Sequence, residues 1–376
     1  MKKIGVVGTE NMLDLLIRAL EYYESDYKIE QSVLVDGVCN DTDRMYELVM
    51  LSDMEFVVIA SDKDDYFLYE NLVKKAADDK KREVKIRFLH PYLKYIHHFH
   101  LFNYEKLFLD REDYANSIDY LEFHVTDNCN LNCKGCAHFS NIVSGNKNTD
   151  FLSWEKDMLR LKELVENIYT IRIMGGEPFL NLELGKFVVK TREMFPQSMI
   201  HVVSNGMLLN KVDRDVFHLI RENDVTIDIS YYPEVDRDKV VEILEAERLR
   251  YRISTVSTDE FLKYMNLKGD SDIGRAYAGC GFKECHFLYE GKVSVCAFPL
   301  LVKYFNDYFH ENVDAGCGID LYSPKLKKGM LRGLLNRPVD ACRYCAVDKE
   351  PIPWKGHWLN ADKSDWCVEG KKKWNG

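Results

Sequence analysis

Three cysteines, Cys129, Cys133 and Cys136, stand in the short stretch Val125-Thr-Asp-Asn-Cys-Asn-Leu-Asn-Cys-Lys-Gly-Cys-Ala-His-Phe-Ser140. Thiolates at the spacing CxxxCxxC can wrap one corner of a metal cluster. Three is one fewer than the four that a closed zinc or iron–sulfur site uses. An iron left without a fourth protein ligand is an open coordination position, and an open position is where chemistry happens. A lone CxxC would favour zinc, but no Cys or His pair follows at the spacing that would close a zinc knuckle.

Other stretches carry groups suited to the same chemistry. Gly175-Gly-Glu-Pro178 follows the strand-like run Ile168 to Met174, and its two glycines let the backbone present polar groups to a ligand; a plain tight turn is the alternative. Ser204-Asn-Gly206 ends the next strand, Met199 to Val203. Seven cysteines lie beyond residue 270: Cys280, Cys285, Cys296, Cys317, Cys342, Cys345 and Cys367. Phe287 to Val295 reads as a hairpin turning at Glu290-Gly291, with Cys296 closing its second strand.

The elements that must position these groups follow from periodicity. From Ile4 to Leu89, strand-like runs (Ile4–Gly8, Ser32–Val35, Phe56–Ala60, Lys85–Leu89) alternate with helical patterns (Asn11–Tyr23, Tyr66–Ala77). The alternation predicts an N-terminal Rossmann-like, doubly wound α/β domain. Gly5 and Gly8 give GxxG, not the GxGxxG of a dinucleotide site. Asp36 stands where such folds place a ribose ligand; a docking or scaffolding role is the alternative. His90, His97, His98 and His100 are interleaved with aromatics and read as structural residues of an interdomain helix. After the cysteine loop, a helix over Ser153–Asn167 with Ser153 as N-cap begins a series of six strand–helix units, an open (β/α)6 arrangement. Thr226, Asp228 and Ser230 face one side of their strand. Active sites of parallel barrels gather at the carboxyl ends of the strands, so the cysteine loop, GGEP and SNG should converge there.

The 376 residues allow two or three domains, and a hydrophobic content of 46% predicts a packed core. A net charge of −10 argues against a nucleic-acid partner. The basic runs at Lys80–Arg87 and Lys371–Lys373 read as solvated faces. Eleven unevenly spaced cysteines fit metal binding in a reducing cytoplasm better than a secreted disulfide scaffold. The N-terminus lacks the apolar core and cleavage site of a signal peptide, and no run reaches the ~18 apolar residues of a membrane span. A cytoplasmic protein with no membrane partner is expected.

Taken together, the cysteine loop, GGEP and SNG resemble the radical S-adenosylmethionine (SAM) superfamily. The resemblance implies a [4Fe-4S] cluster on Cys129, Cys133 and Cys136. Its open iron would hold SAM, which is cleaved to a 5'-deoxyadenosyl radical that abstracts hydrogen. It implies that Gly175, Gly176 and Glu177 contact the SAM ammonium and that Ser204 and Asn205 contact its ribose and carboxylate. Where the family usually has an aromatic residue this chain has Gly135, so adenine packing is assigned to His138 or Phe139. The pattern Cys280-x10-Gly291-x4-Cys296, with CxxC at Cys342 and Cys345, resembles the Twitch or SPASM extensions. It implies one auxiliary [4Fe-4S] cluster on Cys280, Cys296, Cys342 and Cys345, with Cys285 able to displace one of them, although zinc could take the same thiolates.

Three domains are implied: a Rossmann-like domain over residues 1–115, a partial (β/α)6 TIM barrel over 116–270 and an auxiliary-cluster domain over 271–376. By likeness to radical SAM epimerases, Cys317 in Ala315-Gly-Cys-Gly318 is the candidate hydrogen donor. The implied activity is oxidation or epimerisation of a small polyhydroxylated substrate, a sugar, sugar-nucleotide or aminocyclitol, with an external electron donor such as flavodoxin or ferredoxin. Two alternatives stand beside it: modification of a peptide or protein, and a zinc-stabilised binding protein without enzymatic activity.

Overall fold

The runs around Ile4 and Phe56 are rich in β-branched residues, which suit a pleated, buried surface, and they form neighbouring parallel strands. The computed structural model describes residues 1–35, 42–49, 54–60, 85–91, 93 and 107–369. Its first sheet contains β1 (Lys2–Gly8), β2 (Tyr27–Leu34), β3 (Phe56–Ala60), β4 (Ile86–Leu89) and β5 (Phe108–Leu109) in the order β2-β1-β3-β4-β5. All neighbours are parallel except β4 and β5. The chain reverses its direction of winding between β1 and β3, which is the doubly wound pattern expected.

The helix Glu10–Tyr22 buries Met12, Leu15, Leu16, Ala19 and Leu20 in a core shared with Ile4, Val6, Phe56 and Val58. Gly8 has a packing reason: a Cβ there would lie 1.8 Å from the Ala60 carbonyl oxygen. That close approach accounts for one of the two glycines of GxxG without any phosphate. His90 is buried, whereas Asp36, Cys39, residues 66–77, His97, His98, His100 and Lys371–Lys373 lie outside the described residues.

Two compact units divide the chain, Met1–Ile118 with Lys328–Asn336, and Asp119–Lys327 with Arg337–Gly376. Within the first, Arg332 is 1% exposed, stands 3.7 Å over the Tyr114 ring and donates to the Ser117 carbonyl at 2.8 Å. That contact is how a late segment joins an early unit.

The second unit is built on β6 (Ser117–Thr126), β7 (Asn167–Gly175), β8 (Met199–Ser204), β9 (Thr226–Ile229), β10 (Arg250–Ile253), β11 (Glu260–Met265), β12 (Phe287–Tyr289), β13 (Lys292–Ser294), β14 (Ile319–Asp320) and β15 (Cys345–Pro353). Its main sheet runs β10-β9-β8-β7-β6-β12-β13-β14, and β11 pairs with β15 separately. The pairs β7-β8, β8-β9, β9-β10 and β6-β12 are parallel. The expected hairpin forms as β12 and β13, and it extends the same sheet along β6. The strand expected to complete the sixth unit, Tyr251 to Val256, forms as β10 and is the fifth of the series; the sixth is β12, the first strand of the hairpin, beside β6.

One face of β7–β9 presents Ile171, Ile173, Ile200, Val202, Ile227 and Ile229, all buried. The helices Phe151–Leu164, Leu184–Met194, Arg214–Glu222 and Arg237–Ala246 supply apolar residues such as Trp154, Phe187, Phe217 and Leu244. The first of these helices starts two residues earlier than expected. Asp150, not Ser153, is its N-cap, because the Asp150 carboxylate accepts from the Ser153 N–H at 2.9 Å. No helix among the described residues is long and apolar enough to cross a membrane.

The helix Phe151–Leu164 is tied to the β12–β13 turn through Asp157, which accepts the Gly291 N–H and the Tyr322 hydroxyl, each at 2.7 Å. Replacement Asp157→Ala leaves the buried Gly291 N–H without a partner and should cost about 1–3 kcal/mol. The expected result is a lower urea midpoint at unchanged slope.

Candidate active site

Alternation along the strands separates an apolar face from a polar one. On the polar face, Arg172 of β7 donates to Asp228 of β9 at 2.8 Å and to the Tyr120 hydroxyl of β6 at 3.4 Å. Tyr120 in turn donates to Glu122 at 2.8 Å. Burial raises the Glu122 pKa to about 7, against the lowering effect of Tyr120, His124 and Arg172. The expectation that Asp228 and Ser230 share a side holds: Asp228 takes the arginine, and Ser230 reaches a cavity at the carboxyl end of the sheet.

That cavity, of about 400 Å³, is lined by Cys129, Cys133, Cys136, His138, Gly175, Gly176, Ser204 and Asn205 among others. Three loops expected to converge do so. Gly176 N–H donates to the Thr126 carbonyl at 2.8 Å and Glu177 N–H to the Asn128 carbonyl at 2.9 Å. Glycine is needed at both positions, since a Cβ on Gly175 would lie 2.1 Å from the Thr126 oxygen and one on Gly176 2.2 Å from the Asn128 oxygen.

Glu177 has a different place from the one expected. It is 0% exposed, and its carboxylate accepts from Ser204 Oγ and Asn205 N–H at 2.8 Å and from Phe179 N–H at 3.3 Å. Burial pushes its pKa up to about 7 against those donors. The side chain braces the GGEP and SNG loops and is not among the residues lining the cavity. Phe139 is also corrected. Its ring, 0% exposed, packs against Phe298, Phe305 and Trp366, because burying an aromatic ring there outweighs presenting it to a ligand.

His138 does line the cavity, and it belongs to a chain of polar contacts that the sequence did not signal. Asp127 contacts His124 Nδ1 at 2.6 Å, and His124 Nε2 contacts His138 Nδ1 at 2.8 Å. A carboxylate accepting the Nδ1–H of His124 leaves Nε2 as an acceptor for the Nδ1–H of His138. His138 Nε2 then keeps its lone pair as an acceptor, and it stands 4.0 Å from the Glu122 carboxylate. Burial, followed by the charge of His124, lowers the His138 pKa to about 3. Burial alone would raise Asp127, but hydrogen bonds from His124, Tyr289 and Tyr304 hold it below the usual carboxylate range.

The region containing this loop, residues 123–271, matches the family model described as the Radical SAM superfamily. Residues 123–271 are a radical SAM domain. Relatives include the GTP 3',8-cyclase of Thermodesulfovibrio yellowstonii, 30% identical over 29% of this chain and 34% of the relative. That of Clostridium acetobutylicum is 32% identical over 28% and 33%. The chain spans about a third of the length of these two curated relatives. A crystal structure of BtrN in complex with AdoMet and 2-DOIA covers 61% of this chain and 92% of that one, at 19% identity and a TM-score of 0.37.

The radical SAM family uses a [4Fe-4S] cluster and SAM, and the residues of this domain fit them. Burial raises the thiol pKa of Cys129 to about 12 and raises those of Cys133 and Cys136, and proximity of the thiols to one another adds to the shifts of Cys129 and Cys133. Bound iron reverses that preference, since a coordinating thiol is deprotonated. N–H donors already address two of the sulfurs: Leu131 N–H to Cys129 at 3.4 Å and Trp354 Nε1–H to Cys133 at 3.3 Å. The absence of an aromatic residue at Gly135 has a local cause: its φ is +65° and a Cβ would meet the Asp365 oxygen at 2.7 Å.

Cys280, Cys285, Cys296 and Cys345 line a neighbouring cavity, which shares Ala137, His138, Tyr264, Phe282 and Lys349 with the first. Cys296 feels the charges of Cys345, Cys280 and Cys342, and Cys345 those of Cys280 and Cys342. Cys285 faces Glu122 and Arg172 instead, and after burial these act on its pKa, which is raised to about 12. Cys317 does not reach either cavity: it is exposed, and its thiol contacts only the adjacent Gly318 carbonyl at 3.8 Å. Accessibility on a glycine-flanked loop is the property that puts it outside the site. Among the described residues, no group of three or more His, Cys, Asp or Glu could hold a single metal ion.

Replacement Gly175→Ala should weaken SAM binding at least about tenfold, from ~1.4 kcal/mol or more of overpacking. Gly281→Ala, where a Cβ meets nothing within 4 Å, should leave it unchanged. Titration calorimetry of the reconstituted proteins reads both.

Proposed function

We propose that this chain is a radical SAM enzyme with one auxiliary cluster that oxidises a C–H(OH) carbon of a small polyhydroxylated substrate to a carbonyl. The observation that carries the reading is the pair of adjoining cavities. One is bordered by Cys129, Cys133 and Cys136, the other by thiols of the second group, and the two share one wall. In this reading the first three thiols hold the SAM-binding cluster and Cys280, Cys296, Cys342 and Cys345 hold the auxiliary one. Residues 1–115 form a Rossmann-like domain, 116–270 the partial barrel and 271–376 the Twitch- or SPASM-like extension. Flavodoxin or ferredoxin supplies electrons.

When bound, the cluster and SAM supply reductive carbon–sulfur cleavage and, through it, hydrogen abstraction from an unactivated carbon. The chain's own residues do the rest. Gly175 and Gly176 let the GGEP backbone close on the cysteine loop at the edge of the SAM space, and Ser204 and Asn205 border the same space. His138 Nε2 accepts a hydrogen bond from the substrate hydroxyl, with Glu122 4.0 Å behind it. His124 and Asp127 hold that ring in the required tautomer. Oxidation removes two electrons and two protons in all: one hydrogen atom from carbon, then one proton from the hydroxyl, for which Glu122, 4.0 Å from His138 and with its pKa raised to about 7, is the acceptor; a cluster held by Cys280, Cys296, Cys342 and Cys345 would supply the acceptor for the remaining electron.

The curated relatives are GTP cyclases by name, but a triphosphate needs concentrated positive potential. Among the described residues the cavity wall carries one lysine, Lys349, and one carboxylate, Glu260. A ligand with little net charge, such as a sugar or aminocyclitol, suits that balance better. Epimerisation is the second reading. What favours it is Cys285, which lines the second cavity beside Cys280 and is acted on by Glu122 and Arg172 before any thiol.

Anaerobic reconstitution should give roughly eight irons per chain, two [4Fe-4S] clusters. The double variant Cys342→Ala, Cys345→Ala should hold roughly four and still cleave SAM. A colourless protein with stoichiometric zinc would sink the reading. In heavy water with a sugar or aminocyclitol panel, oxidation predicts a carbonyl product without carbon-bound deuterium. Deuterium at one carbon that disappears in Cys285→Ser would establish epimerisation instead.

A further inference from the structure

The C-terminal segment that follows β15 lies along the cysteine loop and contacts it through several residues. Lys134 N–H donates to the Lys355 carbonyl at 2.8 Å, His357 N–H to Leu131 at 2.7 Å and Trp358 N–H to Asn132 at 3.0 Å. Trp366 Nε1–H donates to the Cys136 carbonyl at 2.8 Å. Lys134 also stands 4.6 Å from the centre of the Trp358 ring.

One contact differs in kind from these, because it ends on sulfur. The Trp354 indole stacks on Tyr232, with ring centres 5.3 Å apart and planes 13° from parallel, and from there Nε1–H reaches Cys133 Sγ at 3.3 Å. Stacking fixes the ring, so the N–H direction is preorganised. A hydrogen bond to a cluster thiolate stabilises the more negative, reduced state and so raises the reduction potential.

Resting on the cluster reading above, we propose that Trp354 sets the reduction potential of the SAM-binding cluster by donating its indole N–H to the Cys133 sulfur. It is a positioning residue, acting through the thiolate and touching no substrate. The radical SAM domain matched over residues 123–271 therefore takes a tuning group from outside its own span. Trp354 comes directly after β15, whose first residue, Cys345, belongs to the auxiliary set.

The test is a redox titration followed by electron paramagnetic resonance, using the signal that changes on SAM addition. Trp354→Phe keeps an aromatic ring for stacking and removes the N–H. At the wild-type midpoint its ratio of reduced to oxidised cluster should fall roughly threefold to tenfold, a tenfold change being about 59 mV for one electron. Trp366→Phe, which loses a bond to a carbonyl and none to sulfur, should leave the midpoint in place. An unmoved midpoint in Trp354→Phe, or an equal shift in Trp366→Phe, overturns the inference. Should Trp354→Phe fail to hold iron, Trp354→His, which restores a ring N–H, decides: recovered iron with a midpoint near wild type supports the inference, and anything less overturns it. A wild-type protein that takes up no iron overturns the cluster reading itself, a separate and visible result.

Discussion

A carboxylate sealed from water governs the carboxyl end of the second sheet. Glu177 accepts from Ser204, Asn205 and Phe179, while its own backbone N–H donates to Asn128. Asn205 continues the network to Asn130 at 2.9 Å. Three loops that are distant in sequence therefore share one set of hydrogen bonds. Because a buried carboxylate is costly unless its oxygens are satisfied, the loops are held to the one arrangement that satisfies it. The open side of the cysteine loop is what remains exposed to the cavity.

The sheet itself divides the work by face. Isoleucine and valine side chains on one face meet four helices and supply the hydrophobic burial that holds the unit together. The other face carries Tyr120, Glu122, Arg172 and Asp228, which are joined by hydrogen bonds. Period-two alternation makes this possible, since a strand can be apolar toward its helices and charged toward a ligand.

Much of the site was legible because its determinants are local. The CxxxCxxC spacing, the paired glycines after β7 and the Ser-Asn-Gly after β8 each mark one loop, and parallel strands bring such loops to one end. Less legible were groups whose role depends on partners far away in the chain. His124 and Asp127 look like ordinary residues near a strand end, yet they make a chain with His138, Tyr289 and Tyr304. Trp354 and Trp366 carry no motif. Cys317 shows the opposite failure, since composition marks a thiol but gives no direction for it.

What the sequence determined by itself was chemical inventory and local order: three thiols in one turn, glycines where backbone must approach backbone, and alternating strands and helices. What only tertiary structure decided was assignment. It made Glu177 a brace, put Phe139 in the core, added β12 to the sheet beside β6, and brought the C-terminal indoles to the cysteine loop. The physical reason is that spacing along a chain fixes neighbours within a few residues, whereas burial and hydrogen-bond satisfaction are settled only when segments hundreds of residues apart compete for the same space.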